Sequence, residues 1–227
     1  MPLYCSYANN TTALGGDIMR ASKYGYNDTN FMIEDKMTYL GVEFIKQFYP
    51  TGKLELIPSY TNTNRETKHL QDKGIDAILH LPNRKVYIDF KCYNREYFTA
   101  GLIELQRKQG TNGIPKNGWV YKPMTDIFIH ISYNEILIFN KASVHKVIEK
   151  YPSEFNPSTL KWNWDSGNKY GTTKKEALYK RNKLLFFDNK EHIRLLQEMK
   201  VIKYHLFGSR WVKIPINELC INKGNII

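Results

Sequence analysis

The stretch GIDAILHLPNRKVYIDFKCY, residues 74–93, decides how this chain is read. It contains two strand-like apolar segments, 74–81 and 85–93, separated by Pro82, Asn83 and Arg84, which supply turn chemistry, so it reads as a β-hairpin. Side chains alternate between the faces of a strand. Within 85–93 that puts Val86, Ile88, Phe90 and Cys92 on an apolar face and Lys85, Tyr87, Asp89, Lys91 and Tyr93 on the other. Asp89 and Lys91 are then neighbours. Asp76 interrupts the first apolar segment, and a tight hairpin brings it beside Asp89. His80 shares the face of Asp76 and is a lesser candidate for the same site.

Two converging carboxylates repel unless something positive lies between them. A hard divalent cation meets that need, since Mg²⁺ takes one or two carboxylates together with water and phosphate oxygens. Asp76, Asp89 and the backbone carbonyl of Phe90 are the expected ligands. Lys91 is placed to orient or activate a water and to stabilise charge on a phosphate. A lone Asp-x-Lys is more often an amphipathic strand facing water. Here the second acid, the basic chain and the flanking elements weigh the other way.

Those elements follow from periodicity. From Asp28, a plausible cap, Ile33, Met37, Leu40, Phe44 and Phe48 recur at helical spacing until Pro50 and Gly52. A short apolar stretch at 54–59 and a polar loop at 61–73 lead into the hairpin. After it, Phe98, Leu102 and Leu105 predict a helix over 95–109. Residues 126–132 and 135–140 read as strands and 141–150 as a helix. Beyond Pro152, helical patterns at 173–183 and 189–200 precede a final hairpin in VIKYHLF and RWVKIPI. The expected class is α/β, with helices flanking a mixed central sheet. We expect one domain over 1–227, with a core at 28–150, an arm at 1–27 and an α+β extension at 151–227.

The arrangement resembles the PD-(D/E)XK nucleases, the restriction-endonuclease-like superfamily that includes resolvases and phage exonucleases. The resemblance rests on G-I-D-A at 74–77 and I-D-F-K at 88–91, and it covers roughly 28–150. It implies an αβββαβ core, a Mg²⁺- or Mn²⁺-dependent hydrolysis of DNA, metal-binding roles for Asp76 and Asp89 and a catalytic role for Lys91. Ile75 stands where the motif's name has Pro. Gln106 and Gln109 are followed by Gly110 and Gly113, unlike the Gln-then-Tyr pattern of one exonuclease branch. Members commonly carry a supporting Glu on the first helix. Glu34 and Glu43 both qualify; Glu34 is favoured because Glu43 has Lys46 at i+3 as an ion-pair partner.

Composition points the same way. The chain of 227 residues carries 33 Lys and Arg against 22 Asp and Glu, a net charge of +11 that favours a polyanion such as DNA. Gln106 is a candidate contact to phosphate or water. Lys161, Trp162, Trp164, Lys174 and Lys175 interleave basic and aromatic residues, as a nucleic-acid surface or an aromatic anchor for the extension would. Cys5, Cys92 and Cys220 fit neither a zinc motif nor a disulfide framework. No membrane span or signal peptide is expected, which places the chain in the cytoplasm of a bacterium or a phage-infected cell. There is no phosphate-binding glycine loop and so no nucleotide cofactor. A homodimer is the arrangement open to an enzyme cutting two strands. The rival readings are a catalytically silent nucleic-acid-binding protein and a phage structural protein on the same scaffold.

Overall fold

The computed structural model describes residues 28–57, 65–93, 96–98, 101–109, 113–170, 178–187 and 190–216. In chain order these form α1 (Asp28–Phe48), β1 (Lys53–Leu56), α2 (Arg65–Asp72), β2 (Ala77–Leu81), β3 (Arg84–Cys92), β4 (Gly101–Gln109) and β5 (Lys116–Asn117). A 3₁₀ turn at Trp119–Tyr121 leads to β6 (Ile127–Ile131), β7 (Glu135–Asn140) and α3 (Lys141–Lys150). Last come β8 (Asn163–Tyr170), β9 (Leu178–Phe187), α4 (Lys190–Glu198), β10 (Ile202–Phe207) and β11 (Arg210–Ile214). The class is α/β with a mixed sheet.

Among the described residues seven strands form the main sheet in the order β1-β2-β3-β6-β7-β10-β11, and four form a second sheet in the order β5-β4-β9-β8. Strands β1, β2 and β3 make an antiparallel meander, and β3 lies parallel to β6, with Asp89 opposite Phe128 and Lys91 opposite His130. Parallel neighbours need a long crossover. This one runs through β4, β5 and the 3₁₀ turn.

Strand parity gives the main sheet two apolar faces. On one, Ile88, Phe90, Ile129 and Ile131 pack with Met37, Phe44 and Ile45 of α1. Gly41 permits that seating: a Cβ there would lie 2.7 Å from the Ile131 side chain and 2.9 Å from the Phe90 ring. On the other face Phe128, Leu137 and Phe139 pack with Ile103 and Leu105 of β4, Val144 and Val147 of α3, and Leu195 and Leu196 of α4. Asp89 and Lys91 occupy this second face, at its margin with the second sheet.

Three expectations are corrected. Residues 101–109 are a strand, not part of a helix over 95–109. Ile103 and Leu105, two apart, are both fully buried, and Ile103 lies off the helical stripe that Phe98, Leu102 and Leu105 seemed to define. The helical pattern at 173–183 gives way to β9, whose pairing with β4 from Gly101 to Gln109 overrides the helix propensity of its Lys, Arg and Leu. The polar stretch at 61–73 contains α2. Its one large apolar residue, Leu70, packs with Ile57, Ile75 and Ile78. Gly74, at φ 79°, ends α2 with Ile75 N–H donating to Leu70 O at 3.0 Å, the capping geometry that wants a left-handed residue. Residues 202–214, expected as a terminal hairpin, form one and join the main sheet through β7.

Candidate active site

Asp76 immediately precedes β2, and its backbone N–H donates to Ile88 O at 2.8 Å, which fixes the hairpin register and sets Asp76 beside Asp89. The Phe90 N–H donates to Asp76 Oδ2 at 2.8 Å. The two carboxyl groups are close enough for the charge on one to act on the other. Lys91 donates to Asp89 Oδ1 and lies 3.5 Å from the carbonyl oxygen of Phe90. Hairpin register and strand parity thus gather Asp76, Asp89, Lys91 and the Phe90 carbonyl in one place.

A second ammonium joins them. Lys122 Nζ lies 3.2 Å from Asp89 Oδ2, an oxygen with no hydrogen-bond partner among the described residues. Its stem crosses Gly74, where any Cβ would overlap it. Lys141 donates to the carbonyls of Lys122 and, at 2.9 Å, Pro123, while Thr125 Oγ1 donates to Gly74 O at 3.1 Å. The loop carrying Lys122 is therefore held at both ends of its reach.

The electrostatics divide the pair. Burial, and then the charge of Asp89, raise the Asp76 carboxyl to about 7. Burial pushes Asp89 upward too, but Lys91 and Lys122 outweigh it and hold that carboxyl below its ordinary value. Asp76 is therefore the carboxyl that keeps its proton up to about pH 7, and Asp89 the one that is ionised first. Lys91 is raised: burial opposes its charge, and Asp89 and Asp76 more than compensate. Lys122 is lowered by burial and by Lys91.

The donor set fits a hard cation. Asp76, Asp89 and the Phe90 carbonyl offer oxygens, the ligands Mg²⁺ and Mn²⁺ take, and the raised Asp76 carboxyl marks a charge conflict that such an ion would relieve. Among the described residues no group of three or more His, Cys, Asp or Glu is placed to hold a metal ion, so the protein oxygens offered here are those of two carboxyls and one carbonyl.

The remaining candidates fall elsewhere. His80 pairs with Glu55 at 2.8 Å, away from the carboxylates. Glu43 pairs with Lys46 at 3.0 Å. Gln106 stands opposite Asn117 and Lys183 in the second sheet. Trp162 is flanked by the ammonium groups of Lys108 at 4.5 Å and Lys183 at 5.0 Å, with Lys161 exposed beside it. The side chains of Glu34 and Trp164, and all of Lys174 and Lys175, lie outside the described residues.

Sequence reasoning missed Lys122, Glu104 and His130. Glu104 raises the pKa of Lys91 and accepts from the Trp119 N–H at 3.1 Å. His130 lies opposite Lys91, fully buried among Tyr93, Trp119 and Phe139, and burial lowers it to about 3, so it is neutral. Only Gly74 left a trace in the sequence, as a residue without a side chain two before the first acid.

Comparison of the chain with protein-family models, with curated proteins and with solved structures returns no match in any of the three.

Proposed function

We propose that this protein is a metal-dependent nuclease that hydrolyses DNA phosphodiester bonds at Asp76, Asp89 and Lys91. The observation that carries the reading is the half-buried Asp76 set by the hairpin register beside the fully buried Asp89, with a backbone carbonyl and a lysine ammonium at the same point. A helix packed behind a three-strand meander, followed by a strand parallel to its third member, is also the order expected of a restriction-endonuclease-like core. The crossover here uses strands where that core has a helix.

In this reading Asp76, Asp89 and the Phe90 carbonyl would hold Mg²⁺ or Mn²⁺. When bound, the ion neutralises phosphate charge and acidifies a water. Lys91 orients that water for in-line attack and donates to a non-bridging phosphate oxygen. Lys122 leaves Asp89 for another phosphate oxygen, and its loop anchors limit how far it moves. The new O–P bond forms as the bond to the 3′ oxygen breaks. The water's proton passes through solvent to the leaving alkoxide, giving a 5′-phosphate and a 3′-hydroxyl.

The test is incubation with Mg²⁺ or Mn²⁺ and supercoiled, linear, single-stranded and four-way-junction DNA, with RNA alongside. Cleavage abolished by chelation and by Asp89→Ala or Lys91→Ala, and reduced about tenfold or more by Lys122→Met, is the expected result. Equal cutting by Asp89→Ala, or no cutting of any substrate by the parent, overturns the reading.

A further inference from the structure

A cleft of about 450 Å³ opens where β3 and β6 begin and α3 starts, and the reading of the site above gives it no task. Its cations are Arg84 and Lys85 of β3 and Lys141 of α3, and the His145 imidazole lines it too. Its one acid, Asp126, accepts the Tyr87 N–H at 2.8 Å. Arg84 and Lys85 are exposed, and neither forms an ion pair among the described residues. Side chains that keep two positive charges at the mouth of a concavity, unpaired, prepare it for an anion.

The cleft is tied to the carboxylates through the loop that precedes β6. Lys122 spans the two: its carbonyl oxygen accepts from Lys141 in the cleft wall, while its ammonium reaches Asp89. Along β3, Lys85 shares the strand parity of Asp89 and Lys91. Four residues of strand separate Lys85 from Asp89, about 13 Å, the axial rise of roughly four nucleotides of a B-form strand. The α3 N-terminus adds the positive end of its dipole, with no acidic residue in its first turn.

We propose that this cleft is a second, non-catalytic phosphate site that grips the backbone of the DNA strand a few nucleotides from the bond being cut; this rests on the nuclease reading of the neighbouring carboxylates. The ligand chemistry is the phosphodiester group. Arg84 and Lys85 contact it by charge, and nothing in the cleft reads bases, so the contact is independent of sequence.

The test measures binding of a labelled 20-nucleotide duplex by the full chain carrying Asp89→Ala, so that binding is read without cutting, over a range of salt. Adding Arg84→Gln and Lys85→Gln is expected to weaken binding about tenfold or more. It should also lower the slope of log K against log salt by about 2, since each phosphate contact contributes roughly 0.9. A control removes the same charge at Arg210 and Lys213, exposed on the far edge strand β11; it should retain most of the affinity and slope. Circular dichroism confirms that each variant is folded. Equal binding and slope in the Arg84, Lys85 variant, or an equal loss in the control, overturns the proposal. So does inorganic phosphate that displaces the duplex at millimolar concentration, which would make the cleft a free-anion site. The two readings fail separately. A parent that binds DNA with this signature yet cuts nothing sinks the nuclease reading, and a parent that cuts DNA while the cleft variant binds unchanged sinks only the cleft.

Discussion

At the scale of single residues, the site turns on the raised carboxyl of Asp76 beside Asp89. Asp76 titrates near 7 in the folded chain against an ordinary 3.8, so the folded state keeps a proton that the unfolded state releases between those values. That contribution to stability is fully present below pH 4 and is lost as the pH rises to 7. Asp76→Asn removes the conflict while its amide oxygen can still accept from the Phe90 N–H. Without metal at pH 8 the variant should be more stable by about 2–4 kcal/mol. Added Mg²⁺ should raise the Tm of the parent and leave that of the variant unchanged. Equal melting of the two proteins, or an equal response to Mg²⁺, would contradict the assignment. Asp89 and Lys91 were legible because alternation along a strand is local, and Asp76 followed once the hairpin register was right. Lys122 was not legible. It arrives from beyond the crossover, and no periodicity connects it to the acids it meets.

Elements were legible where pattern and partner agree. The α1 stripe of Met37 and Phe44 is buried against the sheet, as its spacing implies. Strand β4 misled because a few apolar residues fit both a helical stripe and an alternating strand, and its distant partner β9 decided between them. Helix ends offer a sharper test of local chemistry. Helix α4 closes with Val201 N–H donating to Leu196 O at 3.0 Å around Lys200, whose φ is 55°. That left-handed conformation opposes a side chain by about 1 kcal/mol. Lys200→Gly should therefore raise stability by roughly 0.5–1 kcal/mol, measured by urea denaturation. A loss of similar size would show that the Lys side chain contributes more than the strain it bears. Helix α2 meets the same geometric demand with Gly74, and there the missing side chain also clears the way for Lys122.

At the scale of the whole molecule, the segment expected as an extension is built into the sheet. Glu135 of β7 is the pin: its Oε1 lies 2.7 Å from Lys203 Nζ of β10, and its Oε2 accepts the Phe98 N–H at 2.6 Å. Glu135 and Lys203 are each 1% exposed. Glu135→Ala would take the carboxylate away from a buried ammonium and from an amide together, at a cost of about 3–5 kcal/mol. Thermal melting checks this, and a loss below 1 kcal/mol would mean that water reaches Lys203. This tie was invisible in the sequence, where Glu135 reads as the first residue of an ordinary strand. The two outer strands of the same sheet carry a different consequence. Strand β1 has only four residues, with Lys53 and Glu55 exposed, and β11 has five, with Arg210 and Lys213 exposed. Short, charged borders resist the addition of a further strand from another chain. Aggregation by edge-to-edge pairing is disfavoured at both edges of the sheet that the described residues form.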